Sequence, residues 1–323
     1  MLYTRNLSKM VFDKNFGKFD ELIIISGYVG ASQVTEALKL NKKLRILYGM
    51  APSGISGPNH QIFSRTDKRK ENVEIFYSLP GNSVHSKCYI WKDNGKMVRA
   101  LVGSANFTNS GLNTPEKEIL VDIDPSFFGE LEQYIKYVFS DKGAERCSLH
   151  SLKTRVTSIT KAAQLDPKQL IIKKEAGKVK TIRISLLDRS GKVQPAHGLN
   201  WGMSAGHVKP NDSCIVIRKV AIKTGFFKPK ESEQTFIDGV WDDGTTMELQ
   251  EEGNQTELGL LYPKQLASAK SKEILGKYIR KRLGVREGKR ITVEDLKKYG
   301  KTFIDVTCLD DGSYYLDYSK PKK

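Results

Sequence analysis

The chain of 323 residues holds four cysteines. Cys88, Cys147, Cys214 and Cys308 lie far apart with no CxxC spacing, so neither a zinc site nor a disulfide framework is indicated. They read as core thiols in a reducing compartment. No run of about 18 apolar residues occurs, and the start MLYTRNLSKM lacks a long apolar region, which argues against a membrane span or secretion and fits a cytoplasmic protein. Negative charge is short, with 37 Asp and Glu against 53 Lys and Arg, a formal charge of +16. That imbalance is the electrostatic footprint of a nucleic-acid binder, although many other proteins are also basic. No repeat of fixed period is present.

What is present divides the chain by texture. The first half alternates short apolar runs (ELIIISGYVG, KKLRILYGM, VEIFYSL, KCYIW, MVRALVGSAN, KEILVDI) with helical stretches, the pattern of an α/β domain with a mixed sheet flanked by helices. Its expected last helix is FFGELEQYIKYVFSD. The stretch 148–180 has no aromatic residue and is strongly basic. It reads as a linker with a short strand possible at LIIKK, either a solvated spacer or a contact for a DNA backbone. From Thr181 the texture is closely spaced strands and turns, with Asp-Asp-Gly in two hairpins. Helices are expected around SKEILGKYIRKRLG and VEDLKKYG. The domains expected are 1–147, a linker 148–180, and a mainly β domain 181–323.

The chemistry concentrates in SVHSKCYIWKDNGKMVRALVGSANFTNSGLNTPEKEILVDI. His85 and Lys87 stand two apart on an expected strand, so both leave one face of the sheet. Ser104 and Asn106 repeat that spacing at the end of the next strand, and Glu118 precedes a third. An imidazole can attack phosphorus while an ammonium, a hydroxyl and an amide stabilise the oxygens of the pentavalent transition state, and no metal or other cofactor is required. A carboxylate on the other ring nitrogen would fix the tautomer.

HxK followed by GSxN and then Glu resembles the phospholipase D superfamily. The resemblance implies that His85 is a nucleophile forming a phosphohistidine, that Lys87 and Asn106 bind the oxyanion, that Ser104 supports that cradle, and that Glu118, with Glu116 as the alternative, orients the imidazole. It also implies that two motifs meet in one site, the second His protonating the leaving oxygen. One departure is Lys92, where the superfamily usually has Asp; Asp93 comes one position late. Lipases and synthases usually keep that Asp, so the departure favours a nuclease. His207-Val208-Lys209 repeats HxK without a following GSxN and reads as chance. With one motif per chain, a homodimer would have to supply the second.

The segment HGLNWGMSAGHVKPNDSCIVIRKV, the hairpin FIDGVWDDGTTMEL, and ILGKYIRKRLGV with YYLDYS resemble the C-terminal half of phospholipase D-type restriction endonucleases, a DNA-binding pseudobarrel of the plant B3 type. This implies two arms gripping the major groove of double-stranded DNA, read as 189–209 and 242–246. Arg189, Asn200 and Lys209 are then expected at base edges or phosphates, and Asp242 or Asp243 at cytosine N4. Trp201 is a candidate at the same surface, although Trp201 and Trp241 read first as packing. Lys277, Arg280, Lys281 and Arg282 read as a solvated helix face that can hold phosphates. The whole is expected to be a type II-like restriction endonuclease with no membrane association, and relatives of this architecture can work beside a helicase-like subunit. The rivals are a phosphodiesterase acting on lipid head groups or DNA ends, and a DNA-binding regulator with an inactive nuclease fold.

Overall fold

The computed structural model describes residues 1–13, 17–113, 117–149, 156–157, 169–206, 208–230, 235–309 and 312–320. The chain forms two compact units, Met1–Ile159 and Thr160–Lys323. Among the described residues no helix is long and apolar enough to cross a membrane.

The first unit runs β1 (Leu2–Tyr3), α1 (Leu7–Val11), β2 (Glu21–Ser26), α2 (Ala31–Ala37), β3 (Lys43–Tyr48), β4 (Ile55–Ser56), α3 (Gly57–Arg69), β5 (Val73–Ser78), β6 (Cys88–Asp93), β7 (Lys96–Gly103), α4 (Asn109–Asn113), β8 (Leu120–Asp122), α5 (Phe128–Val138), β9 (Ala144–Arg146) and β10 (Val156–Thr157). Eight strands form one sheet in the order β1-β8-β7-β6-β2-β3-β5-β9. β2, β3 and β5 run parallel, while the remaining pairs are antiparallel. Leu22, Ile23, Ile24 and Ile25 are all fully buried, because an uninterrupted apolar run needs cover on both faces of the sheet. Each buried side chain contributes roughly 1.5–3 kcal/mol. Ile23 and Ile25 share a core with Ile135 and Val138 of α5, whose apolar residues recur at helical spacing. Helix α3 starts at Ser56, which accepts a hydrogen bond from Asn59 N–H at 3.4 Å. It is tied to the sheet by buried Asp67, which accepts from Ile75 N–H at 2.9 Å and pairs with Arg146 at 2.8 Å.

The second unit runs β11 (Ile171–Glu175), β12 (Lys178–Ser185), β13 (Ile215–Val216), α6 (Lys219–Ile222), β14 (Thr235–Trp241), β15 (Thr246–Glu252), β16 (Gln255–Glu257), β17 (Leu260–Tyr262), β18 (Gln265–Ser268), α7 (Lys272–Leu283), α8 (Val293–Tyr299), β19 (Phe303–Cys308) and β20 (Tyr314–Asp317). Its eight-stranded sheet has the order β11-β12-β19-β20-β14-β15-β18-β13. Here the linker expectation needs correction, since β11 pairs with β12 as an antiparallel hairpin. The stretch from Ile171 is therefore the edge of the second unit's sheet rather than a spacer. Helices α7 and α8 form where the apolar spacing predicts them, and each ends at a glycine with positive φ, Gly284 and Gly300. Leu275, Ile279 and Leu296 pack into a core with Ile182, Trp241 and Leu316.

Glu251 of β15 is one of the unit's buried polar groups, at 6% exposure. It accepts a hydrogen bond from Tyr314 OH at 3.2 Å, and burial pushes its carboxyl up to about 7. An acid whose pKa is raised on folding binds more protons folded than unfolded between its unfolded value and about 7, so stability falls as pH rises through that window. Denaturation followed by Trp201 and Trp241 fluorescence should show the second unit losing on the order of 3 kcal/mol from pH 4.5 to 7 through this group. Glu251→Gln should flatten that part of the dependence; a Gln variant with the wild-type slope would contradict the assignment.

Candidate active site

The polar groups of the motif gather at one end of the first unit's sheet. β2 and β7 finish there and β6 and β8 begin there, because β6 is antiparallel to both β2 and β7, and β8 is antiparallel to β7. His85 and Lys87, expected on a strand, stand in the irregular segment 82–87 just before it; the β6 ladder begins at Cys88. Their side chains nevertheless meet. Lys87 Nζ lies 3.1 Å from His85 Nδ1 and 3.3 Å from Nε2, and donates to the His85 carbonyl at 2.6 Å. The segment itself is pinned by Val84 N–H to Gly49 O at 2.8 Å and Gly103 N–H to Lys87 O at 3.1 Å. Ser86, between the two residues, holds its Oγ 2.6 Å from Tyr134 OH of α5.

Ser104 and Asn106 close the other side. Ser104 Oγ donates to Glu118 Oε2 and accepts from Ile119 N–H at 3.1 Å. The expected bond from Glu118 to the imidazole does not form among the described residues; Glu118 holds Ser104 instead and acts on Lys87 through its charge. Glu116 lies outside the described residues. Asn106 Oδ1 accepts from Tyr28 N–H at 3.2 Å, which leaves its amide nitrogen as the group that can donate to a ligand. Lys87 is 6% exposed. Burial lowers its ammonium pKa below the ordinary value, and the Glu118 charge works in the opposite direction. Among the described residues no group of three or more His, Cys, Asp and Glu is arranged to hold a metal ion. The exposed imidazole, the ammonium and the amide form a cradle of the kind that can hold an anion, and the Ser104 hydroxyl, spent on Glu118, braces it from behind.

Residues that sequence reasoning passed over build the wall opposite His85. Gly27 lies under the imidazole, where a Cβ would stand 3.0 Å from His85 Cδ2. The Tyr28 ring stands edge-on to His85 with centroids 6.5 Å apart. Buried Ser26 donates to Tyr28 O at 2.6 Å and accepts from Phe107 N–H at 2.9 Å, so it fastens this loop to the Asn106 turn. The available signal was a glycine directly after a strand built on an uninterrupted apolar run, Leu22 to Ile25, a place where backbone and ligand approach closely. Lys92, the departure from the superfamily pattern, pairs with Glu132 of α5 at 2.6 Å and lies far along β6 from the cradle.

In the second unit several expected DNA contacts turn inward. Asn200 is fully buried, donates to Ile291 O at 2.8 Å and Gln194 O at 3.0 Å, and accepts from Ile291 N–H at 2.8 Å. It closes the fold and has no amide group left to read a base. Asp242 holds Arg282 through both carboxylate oxygens, at 3.2 and 2.9 Å, and accepts from Tyr318 N–H. Asp243 caps Thr245 N–H and meets Tyr278 OH and Arg282. Asp242 is thereby committed to the interior, whereas Asp243 stays exposed with lone pairs to spare. Arg280 and Arg282 correct the solvated-face reading of α7. Arg280 is fully buried and donates to Lys289 O and Asn211 O, while Arg282 also donates to Tyr278 OH and Tyr318 O. Trp201 carries Lys272 Nζ 5.0 Å over its ring, and Trp241 is buried against Tyr278. Arg189 is exposed at the tip of a turn held by Asp188, which accepts from Ser190 N–H and Lys192 N–H. Lys209 is exposed 3.5 Å from Glu273; His207 lies outside the described residues.

Residues 5–152 match the family described as the NgoFVII restriction endonuclease N-terminal PLD domain. Residues 174–310 match the family described as the NgoFVII C-terminal B3-like DNA-binding domain. No curated protein matches the chain. Among solved structures, polyphosphate kinase from Porphyromonas gingivalis is similar at 13% identity over 45% of this chain, with a TM-score of 0.33. The chain spans 23% of that enzyme's length. NucT from Helicobacter pylori is similar at 12% identity over 42% of this chain and 92% of its own, with a TM-score of 0.32.

The electrostatics of the cradle can be measured directly. Glu118→Gln removes the charge that holds the Lys87 proton, so the Lys87 pKa, followed by NMR of its labelled side chain, should fall further below the ordinary value. An unchanged or higher value in the variant would mean that Glu118 and Lys87 are not coupled.

Proposed function

We propose that this chain, which belongs to the restriction endonuclease family with an N-terminal phospholipase D domain and a C-terminal B3-like DNA-binding domain, is a type II-like enzyme that binds a short DNA sequence and cuts phosphodiester bonds without metal. The observation that carries the reading is the convergence of His85, Lys87, Ser104 and Asn106 at one sheet end, with Glu118 bound to Ser104 behind them.

The steps follow from those groups. A scissile phosphate enters the cradle and one of its oxygens replaces the imidazole as the partner of Lys87 Nζ. A ring nitrogen of neutral His85 then attacks phosphorus, forming a P–N bond as the P–O bond to the leaving nucleotide breaks. The ammonium and the Asn106 amide stabilise the extra negative charge on the equatorial oxygens. A second copy of the chain supplies the imidazole that protonates the leaving oxygen, so one composite site forms per homodimer and the two strands are cut in turn. Water then attacks the phosphohistidine, giving its proton to that second imidazole, and the P–N bond breaks to leave a phosphomonoester end.

The second unit's eight-stranded sheet is read as the B3-type pseudobarrel that finds the sequence. Arg189, presented on an ordered turn, is the remaining candidate for bidentate contact to a guanine edge. Lys209 is a candidate for a phosphate, which would position DNA without reading it. A helicase-like subunit can join this architecture.

Plasmid cleavage in excess EDTA tests the reading. Discrete fragments are expected from the wild type and none from His85→Ala, with Asn106→Ala slowed roughly 100- to 1,000-fold, as for loss of one oxyanion donor. Acid-labile, alkali-stable radiolabel on the protein during turnover of labelled DNA marks the phosphohistidine. Binding of DNA without cleavage by any preparation would instead favour a DNA-binding regulator.

A further inference from the structure

We propose that Tyr28 forms the wall of a nucleoside subsite, against which the sugar and base adjoining the scissile phosphate pack. This rests on reading the cradle as a phosphodiesterase site. The phosphate-facing groups come from the mouths of β6 and β7, whereas Tyr28 follows β2 on the side where β2 and β3 run parallel. The crevice beyond the carboxyl ends of parallel strands is where open α/β sheets receive ligands. A chain of nucleotides with one phosphate at His85 must pass its flanking nucleoside over one of these two sides.

The ring is suited to that contact in three respects. Its backbone is immobilised, with Tyr28 N–H on Asn106 Oδ1, Tyr28 O on Ser26 Oγ, and Val29 bridged to Phe107. The ring also makes an edge-type contact with buried Tyr48, centroids 6.1 Å apart and planes 66° apart, so it does not need the ligand to order it. Tyr28 is only half-buried, and its hydroxyl makes no hydrogen bond among the described residues. A rigid aromatic surface beside a phosphate cradle is the arrangement that binds single nucleotides with little preference among bases, because every base has a π face. Such a contact would suit a nuclease whose sequence reading is delegated to a second domain.

The full-length chain is titrated by calorimetry with thymidine 3′,5′-bisphosphate, with the corresponding abasic deoxyribose bisphosphate, and with inorganic phosphate. The wild type should bind the thymidine compound about tenfold more tightly than the abasic one, the scale of one base-aromatic stack. Tyr28→Leu should abolish that difference and leave inorganic phosphate binding unchanged, and Tyr28→Phe should retain it. Equal wild-type affinity for the two bisphosphates would overturn the subsite, and so would a Leu variant that loses all three ligands in parallel, since the ring would then act through His85 and Asn106. A wild type that binds none of the three would overturn the cradle itself, a result distinguishable from failure of the subsite alone.

Discussion

Four chain segments converge at one end of the first sheet, and the site depends on their backbones approaching with no side chain between them. A Cβ on Gly49 would stand 2.0 Å from Val84 O, one on Gly103 2.0 Å from Ile119 O, and one on Gly111 2.3 Å from Asn106 O. No real Cβ tolerates such distances, so each glycine permits a specific contact. Gly49 lets the His85 segment lie against the end of β3, Gly103 lets the Ser104 turn reach the strand after Glu118, and Gly111 lets α4 fold back on the Asn106 turn. The hydrogen bonds Val84 N–H to Gly49 O and Ser104 N–H to Ile119 O follow from those approaches. A methyl group at Gly49 or Gly103 would force apart the backbones that carry His85 and Ser104.

Within that frame, burial and charge divide the labour among the polar groups. Lys87 is nearly inaccessible, so its ammonium acts in a medium of lower dielectric where each charge contact counts for more. The same burial weakens its hold on the proton, and the charge of Glu118, held in place by Ser104, works through space against that loss. His85, by contrast, is exposed, so its ring is open to a ligand arriving from solvent. The carboxylate behind the hydroxyl thus stabilises the cation of the cradle rather than gripping the imidazole.

The first unit was legible because its signals are local. Spacing of two residues brings His85 to Lys87 even though the segment precedes the strand, since either arrangement sends alternate side chains the same way. The partner of Glu118 was not legible, because the choice between imidazole and hydroxyl is made by the close approach at Gly103. Nor were Ser26 and Tyr28, which lie about 80 residues from Asn106 in the chain. In the second unit, polar identity misled. Asn200 sits in a short 3-10 helix and Asp242 in a turn, places where sequence does not tell an outward side chain from one that closes the fold. For α7 a signal existed: Arg282 stands seven residues after Leu275 and three after Ile279, so helical spacing puts it on the apolar face. Gly276 gave another, for a Cβ there would meet Asn211 O at 1.6 Å, a contact that draws Arg280 inside with the helix.

Those inward arginines constrain how the second unit can hold DNA. Arg183, paired bidentately with Asp305 at 2.7 and 2.9 Å, joins Arg280 and Arg282 as cations committed to the interior. Arg183 and Arg282 are met by carboxylates already in place, Arg280 by carbonyls and the Ser213 hydroxyl with one nitrogen left unpaired, and removing one partner of a buried charge typically costs about 3–5 kcal/mol. They therefore cannot turn outward to reach bases. The positive field at the surface must come mainly from lysines, which act as point charges on phosphates and carry no sequence information. Arg189, exposed on a turn whose backbone Asp188 holds, and the exposed Arg286 and Arg290 are left at the surface of the unit as guanidinium forks, which can make the paired hydrogen bonds that a lysine cannot.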